Sequence, residues 1–179
     1  MKNAILLHGA KGTPQDFWFP WIHHELERRD YHVWAPQLPD SEEPNLNTQL
    51  PYILENGTFT SDTLLIAHSA GCPLALAILE KLPIKIEQAL LVAAFIESPH
   101  PNRLLKESYE WEKIKSHVQD FIVINSENDP WGCNDIQGKK ITDKVGGTLI
   151  IRYGEGHMGS NVYKQPYPVF HFLLKLINS

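Results

Sequence analysis

The stretch TLLIAHSAG, Thr63–Gly71, joins a short apolar run to a segment rich in alanine and leucine that extends to Lys81. Continuous apolar runs of four to six residues are typical of strands that are buried on both faces of a parallel sheet. Ala70–Lys81 is predicted to be a helix that ends before Leu82-Pro83, because the residue before a proline avoids helical geometry. The stretch therefore predicts a strand, a tight turn at Ser69 and a helix.

Five further apolar runs, each followed by small or turn residues, extend this pattern along the chain. They are Ala4–Leu7, Tyr31–Ala35 (the weakest), Ala89–Ala94, Phe121–Ile124 and Thr148–Ile151. Further helices are predicted between and after them, over Asp16–Arg29, from Pro130 towards Lys144, and over Pro166–Ile177. Strands that alternate with helices predict an α/β fold with about six mainly parallel strands flanked by helices. Ligands bind beyond the carboxyl ends of such strands.

Length and composition indicate one globular domain over residues 1–179. Hydrophobic residues make up 42% of the chain and charged residues 21%, as in ordinary folded proteins. A large cap over the sheet is not expected, because the segment Phe95–Asp120 has room only for a loop and one short helix. The absence of a secretory signal or a long apolar run predicts a cytoplasmic location without a membrane partner.

Charge and cysteine content exclude several classes of function. With 21 acidic and 16 basic residues, the net charge of −5 argues against a nucleic-acid partner. Only Cys72 and Cys133 are present, so neither a disulfide scaffold nor a thiolate metal site is expected. The loop Gly9–Gly12 lacks the third glycine of a dinucleotide fingerprint, and the chain contains no Gly-Lys-Ser/Thr phosphate loop. No metal or cofactor is predicted.

The turn at Ser69 is the first candidate for chemistry. Ala67, Ser69 and Gly71 match the nucleophile-elbow pattern G-x-S-x-G except at its first position. Small residues flank such a serine because the strand-to-helix turn is cramped, and the turn directs the N–H of Ala70 towards developing negative charge. The alternative is that Ser69 serves only as a helix N-cap.

A nucleophilic serine needs a base, and the base needs an orienting group. Asp129 follows the run Phe121–Ile124, although Asp before Pro130 is also a common helix start. Glu127 and Asp135 are rival carboxylates in the same region. His157 follows the last predicted strand in a glycine-rich loop, where an isolated histidine would ordinarily be solvated surface. Serine, acid and histidine, each after its own strand, follow the order of the α/β-hydrolases.

The loop after the first strand completes the pattern. His8-Gly9-Ala10 lies where such hydrolases place the second oxyanion donor, which we assign to the N–H of Ala10, with Gly9 as an adjacent alternative. The chain resembles the small serine hydrolases typified by retinoblastoma-binding protein nine, and the resemblance covers nearly its whole length. The strings that carry it are Leu7-His8-Gly9, Ala67–Gly71, Asn128-Asp129-Pro130 and Gly156–Gly159.

The resemblance implies a trimmed α/β-hydrolase fold without a large cap, and Ser69, Asp129 and His157 as the catalytic triad. Ala67 departs from the family's glycine. The expected function is cleavage of a small-molecule acyl substrate through an acyl-enzyme. Small carboxylic esters are the first candidates, followed by thioesters and activated amides. The alternative is a protein-interaction module on a hydrolase scaffold with little catalysis, because a fold alone does not establish an activity.

Overall fold

A parallel sheet lies at the centre of the computed structural model, which describes residues 2–98 and 102–177. Its order is β2-β1-β3-β4-β5-β6, and every pair of neighbouring strands is parallel. The prediction of about six parallel strands is confirmed. The strands are β1 (Asn3–Leu7), β2 (His32–Trp34), β3 (Thr63–His68), β4 (Ile86–Val92), β5 (Val118–Ser126) and β6 (Thr148–Arg152).

Helices cover both faces of this sheet. Those of the described residues are α1 (Phe19–Glu27), α2 (Leu46–Asn56), α3 (Gly71–Lys81), α4 (Trp111–Ser116), α5 (Asp135–Val145) and α6 (His171–Lys175). Helices α2 to α5 pack on one face, and α1 and α6 pack on the other. Among the described residues, no helix combines the length and the apolar character needed to cross a bilayer.

The central strand β3 shows why the apolar runs become strands. Leu64 and Ile66 enter the core shared with α1, whereas Leu65 and Ala67 enter the core shared with α3. All four side chains are essentially buried. Because successive side chains of a strand point to opposite faces, a strand between two helix layers must be apolar at every position. Burial of each leucine or isoleucine contributes about 1.5–3 kcal/mol.

Some element boundaries differ from the sequence prediction. Helix α1 begins at Phe19 rather than at Asp16, because Phe17 has a left-handed backbone with φ of 52°. Strand β4 spans Ile86–Val92 and ends where Ala93 adopts φ of 52°. Helix α5 begins at Asp135, five residues after the predicted start at Pro130. Helix α6 covers only His171–Lys175 of the predicted helix Pro166–Ile177.

Helix α2 is absent from the sequence prediction. It contains Pro51, which cannot donate the backbone hydrogen bond that a helix interior needs, and few of its side chains are buried. The side chain of Asn45 caps its first turn by accepting from the N–H of Asn47 at 3.0 Å. The helix packs against α3, so tertiary contact compensates for a weak local pattern.

Candidate active site

Four loops meet at the carboxyl edge of the sheet. Ser69 directly follows β3, His8–Ala10 follow β1, Asp129 follows β5, and His157 follows β6. Because all strands are parallel, their carboxyl ends lie at the same edge. A cavity of about 420 Å³ opens there, and Ala10, Ser69 and His157 are among the residues that line it.

The turn at Ser69 is strained and tightly packed. Ser69 has a left-handed backbone with φ of 53°, and its N–H donates to the carbonyl of Val92 at 2.9 Å. A Cβ added to Gly71 would lie 2.5 Å from the carbonyl oxygen of Leu7, so only glycine fits where α3 passes β1. The N-cap of α3 is Ala70, which makes no side-chain capping bond. Ser69 is therefore not a helix cap, the alternative that its sequence context left open.

A continuous series of hydrogen bonds joins Ser69, His157 and Asp129. The Oγ of Ser69 lies 2.9 Å from Nε2 of His157, and Nδ1 of His157 lies 2.7 Å from Oδ2 of Asp129. Because an ionised carboxylate only accepts, Nδ1 carries the proton and Nε2 is free to accept from the serine hydroxyl. The Asp129 side chain is wholly buried, and its Oδ1 accepts from the N–H of Trp131 at 2.8 Å.

The rival carboxylates occupy other positions. Glu127 accepts from the N–H of Gly154, at 3.2 and 3.1 Å to its two oxygens. Asp135 belongs to the first turn of α5, whose N-cap is Asn134 rather than Asp129. Asp129 is thus the carboxylate that contacts the imidazole, and it is not the helix cap that its sequence context also allowed.

Backbone hydrogen bonds on both sides fix the position of His157. Its N–H donates to Oε1 of Gln165 at 2.9 Å, and its carbonyl oxygen lies 2.9 Å from Nε2 of His68. The next carbonyl, of Met158, accepts from the indole N–H of Trp18 at 2.9 Å. Gln165 and Trp18 could not be identified from the sequence as supports of this loop, because Trp18 is distant along the chain and neither residue belongs to a motif.

His68 supports the site as a neutral side chain. Burial and the nearby His157 ring lower the pKa of His68 to about 3. Because a carbonyl can only accept, the hydrogen bond to His157 requires the proton on Nε2 of His68. Edge-to-face contacts with Phe17 and Trp18 enclose the ring. His68 therefore packs beside the turn as a neutral support.

His8 fixes the peptide between Gly9 and Ala10. The N–H of Leu38 donates to Nε2 of His8 at 3.0 Å, so Nδ1 carries the proton and donates to the carbonyl of Gly9 at 2.8 Å. Burial lowers the pKa of His8, which favours this neutral form. In a planar trans peptide the N–H of Ala10 points away from the carbonyl of Gly9.

Two backbone N–H groups, one in the loop after β1 and one at the turn after β3, lack a hydrogen-bond partner among the described residues. Neither the N–H of Ala10 nor that of Ala70 donates to any described residue. A Cβ added to Gly9 would lie 3.0 Å from the Cβ of Ser69, so the loop after β1 touches the turn after β3. Ala70 also immediately precedes α3, where the helix dipole adds partial positive charge.

Several aromatic side chains contribute to the cavity wall. Phe17, Phe19, Phe95 and Trp131 line it, and 53% of Trp131 is exposed at its mouth. Trp18 is buried in the core and stacks on Phe19 with ring centroids 4.4 Å apart. Phe19 also lines the cavity, as does Phe17.

Comparison with known proteins supplies a family. YdeN of Bacillus subtilis strain 168, which is named a hydrolase, is 29% identical over 135 residues, covering 72% of this chain and 71% of YdeN. The serine hydrolase RBBP9 of Rattus norvegicus is 22% identical over 185 residues, covering 99% of this chain and 94% of that protein. The crystal structure of YdeN superposes with a TM-score of 0.88 at 23% identity, covering 98% and 96% of the two chains.

The family model described as serine hydrolase matches residues 4–175. That range contains the loop after β1 and the turn at Ser69. It also contains His157, which is hydrogen-bonded to Ser69, and Asp129, which is hydrogen-bonded to His157. The likeness to YdeN in structure agrees with an α/β-hydrolase fold. The chain therefore belongs to the serine hydrolase family.

Proposed function

We propose that the chain hydrolyses small carboxylic esters through an acyl-enzyme on Ser69. His157 is the general base and acid, and Asp129 orients its imidazole. The observation that carries the proposal is the hydrogen-bonded series from Ser69 Oγ to His157 at 2.9 Å and from His157 to Asp129 at 2.7 Å. Membership of the serine hydrolase family supports hydrolysis as the reaction class. Thioesters and activated amides would react by the same steps.

Acylation begins when Ser69 Oγ attacks the carbonyl carbon of the ester and its proton passes to Nε2 of His157. The carbonyl oxygen becomes an oxyanion, which accepts hydrogen bonds from the N–H groups of Ala10 and Ala70. One such donor contributes about 2.7–4 kcal/mol in a comparable protease. The intermediate then collapses, the bond to the leaving oxygen breaks, and His157 returns its proton to the departing alcohol.

Deacylation repeats the cycle with water in place of the serine hydroxyl. His157 takes a proton from the attacking water, and the acid leaves when the proton returns to Ser69 Oγ. Asp129 keeps the proton of the resting imidazole on Nδ1 and stabilises the imidazolium that forms in each half-reaction. The full burial of its side chain strengthens that interaction, because little solvent screens it.

The cavity supports a preference for small acyl groups. Its volume of about 420 Å³ lies towards the lower end of the range for ligand pockets, about 300–1,000 Å³. Phe17, Phe95 and Leu104 supply apolar surface for an acyl chain. The oxyanion donors and His157 supply polar contacts to the scissile group. Acetyl and butyryl esters should therefore be hydrolysed faster than long-chain esters.

Hydrolysis of p-nitrophenyl acetate by the purified protein and by Ser69→Ala tests the proposal. We expect the substitution to lower the rate by about 10⁴- to 10⁶-fold, the range found for loss of one triad member in comparable proteases. Ser61→Ala, at an exposed serine outside the cavity, is the matched control and should retain the wild-type rate. Equal rates for wild type and Ser69→Ala would exclude Ser69 as the nucleophile.

A fluorophosphonate probe separates catalysis from the alternative role as an interaction module. The probe forms a covalent bond only with an activated serine, so mass spectrometry should find an adduct on Ser69 in the folded protein. Prior unfolding in urea should abolish labelling, because His157 then no longer contacts the hydroxyl. Folded protein that stays unlabelled would favour the interaction module.

A further inference from the structure

Cys133 joins two residues of the candidate active site in a buried cluster. One ligand atom each from Asp129, Cys133 and His157 lie within 4.8 Å of one another, and all three residues are buried. The chain reaches this arrangement by a tight turn, in which the N–H of Gly132 donates to the carbonyl of Asp129 at 3.1 Å. Gly132 has φ of 81°, which lets the chain bring the thiol back beside the carboxylate.

The chemistry of the three ligand atoms suits zinc. Thiolate sulfur, imidazole nitrogen and carboxylate oxygen are the ligands that Zn²⁺ takes in proteins. Tetrahedral bonds of about 2.0–2.3 Å place ligand atoms about 3.3–3.7 Å apart. A separation at the 4.8 Å limit of the cluster must therefore close by about 1 Å, whereas Nδ1 of His157 and Oδ2 of Asp129, now 2.7 Å apart, must open by about 0.6 Å. Both Cys133 and His157 line the cavity, from which a water molecule can supply the fourth ligand.

Charge balance also favours a divalent cation. A thiolate and a carboxylate together carry two negative charges, which Zn²⁺ neutralises in a site where unpaired charge would be costly. The thiol of Cys133 releases one proton to solvent as its sulfur binds the metal. The imidazole keeps its single proton, so no other group must gain or lose one.

We propose that Asp129, Cys133 and His157 form an inhibitory binding site for Zn²⁺ and related thiophilic divalent cations. Because Asp129 lies beside Nδ1 of His157, a metal shared by the two residues binds Nδ1, and the imidazole proton moves to Nε2. No lone pair then remains on Nε2 to accept the Ser69 proton. Binding itself is independent of any activity, whereas the inhibition rests on the proposed esterase function.

The proposal departs from the expectation drawn from the sequence, which was that two widely separated cysteines give no thiolate site. The cluster needs only one thiolate. Cys72, the second cysteine, donates from Sγ to the carbonyl of Val92 at 3.3 Å and lies outside the cluster. It therefore provides a matched control for the removal of a buried thiol.

Cobalt(II) tests the binding directly, because a thiolate bound to Co²⁺ produces a charge-transfer band in the near ultraviolet. We expect one equivalent of Co²⁺ to produce this band in the wild type and in Cys72→Ala. Cys133→Ser and Cys133→Ala should abolish it, and excess Zn²⁺ should displace it. A wild-type protein without the band, or a band that persists in both Cys133 variants, would overturn the proposal.

Inhibition is measured with p-nitrophenyl acetate, with each variant compared with its own metal-free rate. Zn²⁺ should inhibit the wild type reversibly, with activity restored by a chelator. Loss of a supporting outer-shell group alone weakens metal binding about 10- to 100-fold. Because Cys133 is a direct ligand in the proposed site, half-inhibition of Cys133→Ser should require a Zn²⁺ concentration higher by at least that factor. Equal sensitivity of wild type and both Cys133 variants would place the metal elsewhere, as at the exposed His23–Glu27 pair.

The two experiments separate the zinc site from the esterase proposal. A cobalt band that depends on Cys133, in a protein without esterase activity, would support the site and contradict the proposed function. Esterase activity that Zn²⁺ does not affect, in a protein without the band, would do the reverse. If one Cys133 variant does not fold, the other still gives the comparison.

Discussion

Protonation of His68 should make the stability of the protein depend on pH. His68 is fully enclosed, and burial, followed by the electrostatic effect of the nearby His157 ring, lowers its pKa from 6.5 to about 3. Below pH 6.5 the unfolded chain therefore binds a proton at residue 68 that the folded chain does not bind. Stability falls as the pH drops from 6.5 towards 3, because proton binding favours the unfolded state.

The size of the effect at pH 5 follows from the unfolded-state pKa. That pH lies about 1.5 pH units below 6.5, and each pH unit corresponds to about 1.36 kcal/mol, so His68 should lower the free energy of unfolding by about 2 kcal/mol. The result is insensitive to the folded-state pKa as long as that value stays below about 4.

Urea unfolding of the wild type and of His68→Gln at pH 7.5 and at pH 5 measures this contribution. Glutamine does not titrate, and its amide can still donate to the carbonyl of His157. The wild type should lose about 2 kcal/mol more than the variant between the two pH values. His32→Gln, at an exposed position of β2, controls for removal of a histidine outside the buried cluster. Equal losses in wild type and His68→Gln would refute the reasoning.

Two further substitutions test the packing of the turn and the support of His157. Gly71→Ala should destabilise the protein by more than about 3 kcal/mol in urea unfolding, because its Cβ would lie 2.5 Å from the carbonyl oxygen of Leu7; a loss below 1 kcal/mol would contradict this close approach. Gln165→Ala should lower kcat for p-nitrophenyl acetate about 3- to 10-fold with little change in KM, since it removes the acceptor for the N–H of His157. Gln165→Glu retains an acceptor and should recover most of the rate, and an unchanged kcat in Gln165→Ala would exclude a positioning role.

The sheet could be predicted because burial on both faces leaves a strong local signal. In β3 the two helix layers require an apolar residue at every position from Leu64 to Ala67, and the same holds for much of β1, β4 and β5. Helix α2 left no such signal. It has a proline in its interior and buries only Gln49 and Ile53, so its stability comes from packing against α3.

The ends of the helices and strands were less predictable, because the backbone conformation of one residue can set where an element begins or ends. Phe17 and Ala93 both have left-handed φ values, which a helix or strand pattern does not indicate for these residue types. In each case the strained residue lies beside the cavity or the turn at Ser69. Ala93, for example, is buried, and its N–H donates to the carbonyl of Ile124 at 2.9 Å. Such conformations depend on contacts between distant segments.

The candidate site was predictable as far as residue types and chain order extend. Serine, carboxylate and imidazole each follow a strand, and the structure brings the three within hydrogen-bonding distance; their catalytic roles are the proposal made above. The groups that hold them were not predictable. Gln165, Leu38 and Trp18 reach the site from distant loops, and nothing in their local sequence distinguishes them from surface or core residues.

The arrangement of the loops along the chain has a consequence for biosynthesis. The turn at Ser69 and the loop after β1 precede β4, whereas His157 follows β6, which lies at an edge of the sheet. A nascent chain can thus assemble β1, β3 and α3 with an inert hydroxyl. Under the proposed mechanism, Ser69 would become reactive only when β6 docks on β5, so that a polypeptide truncated before His157 would stay chemically silent.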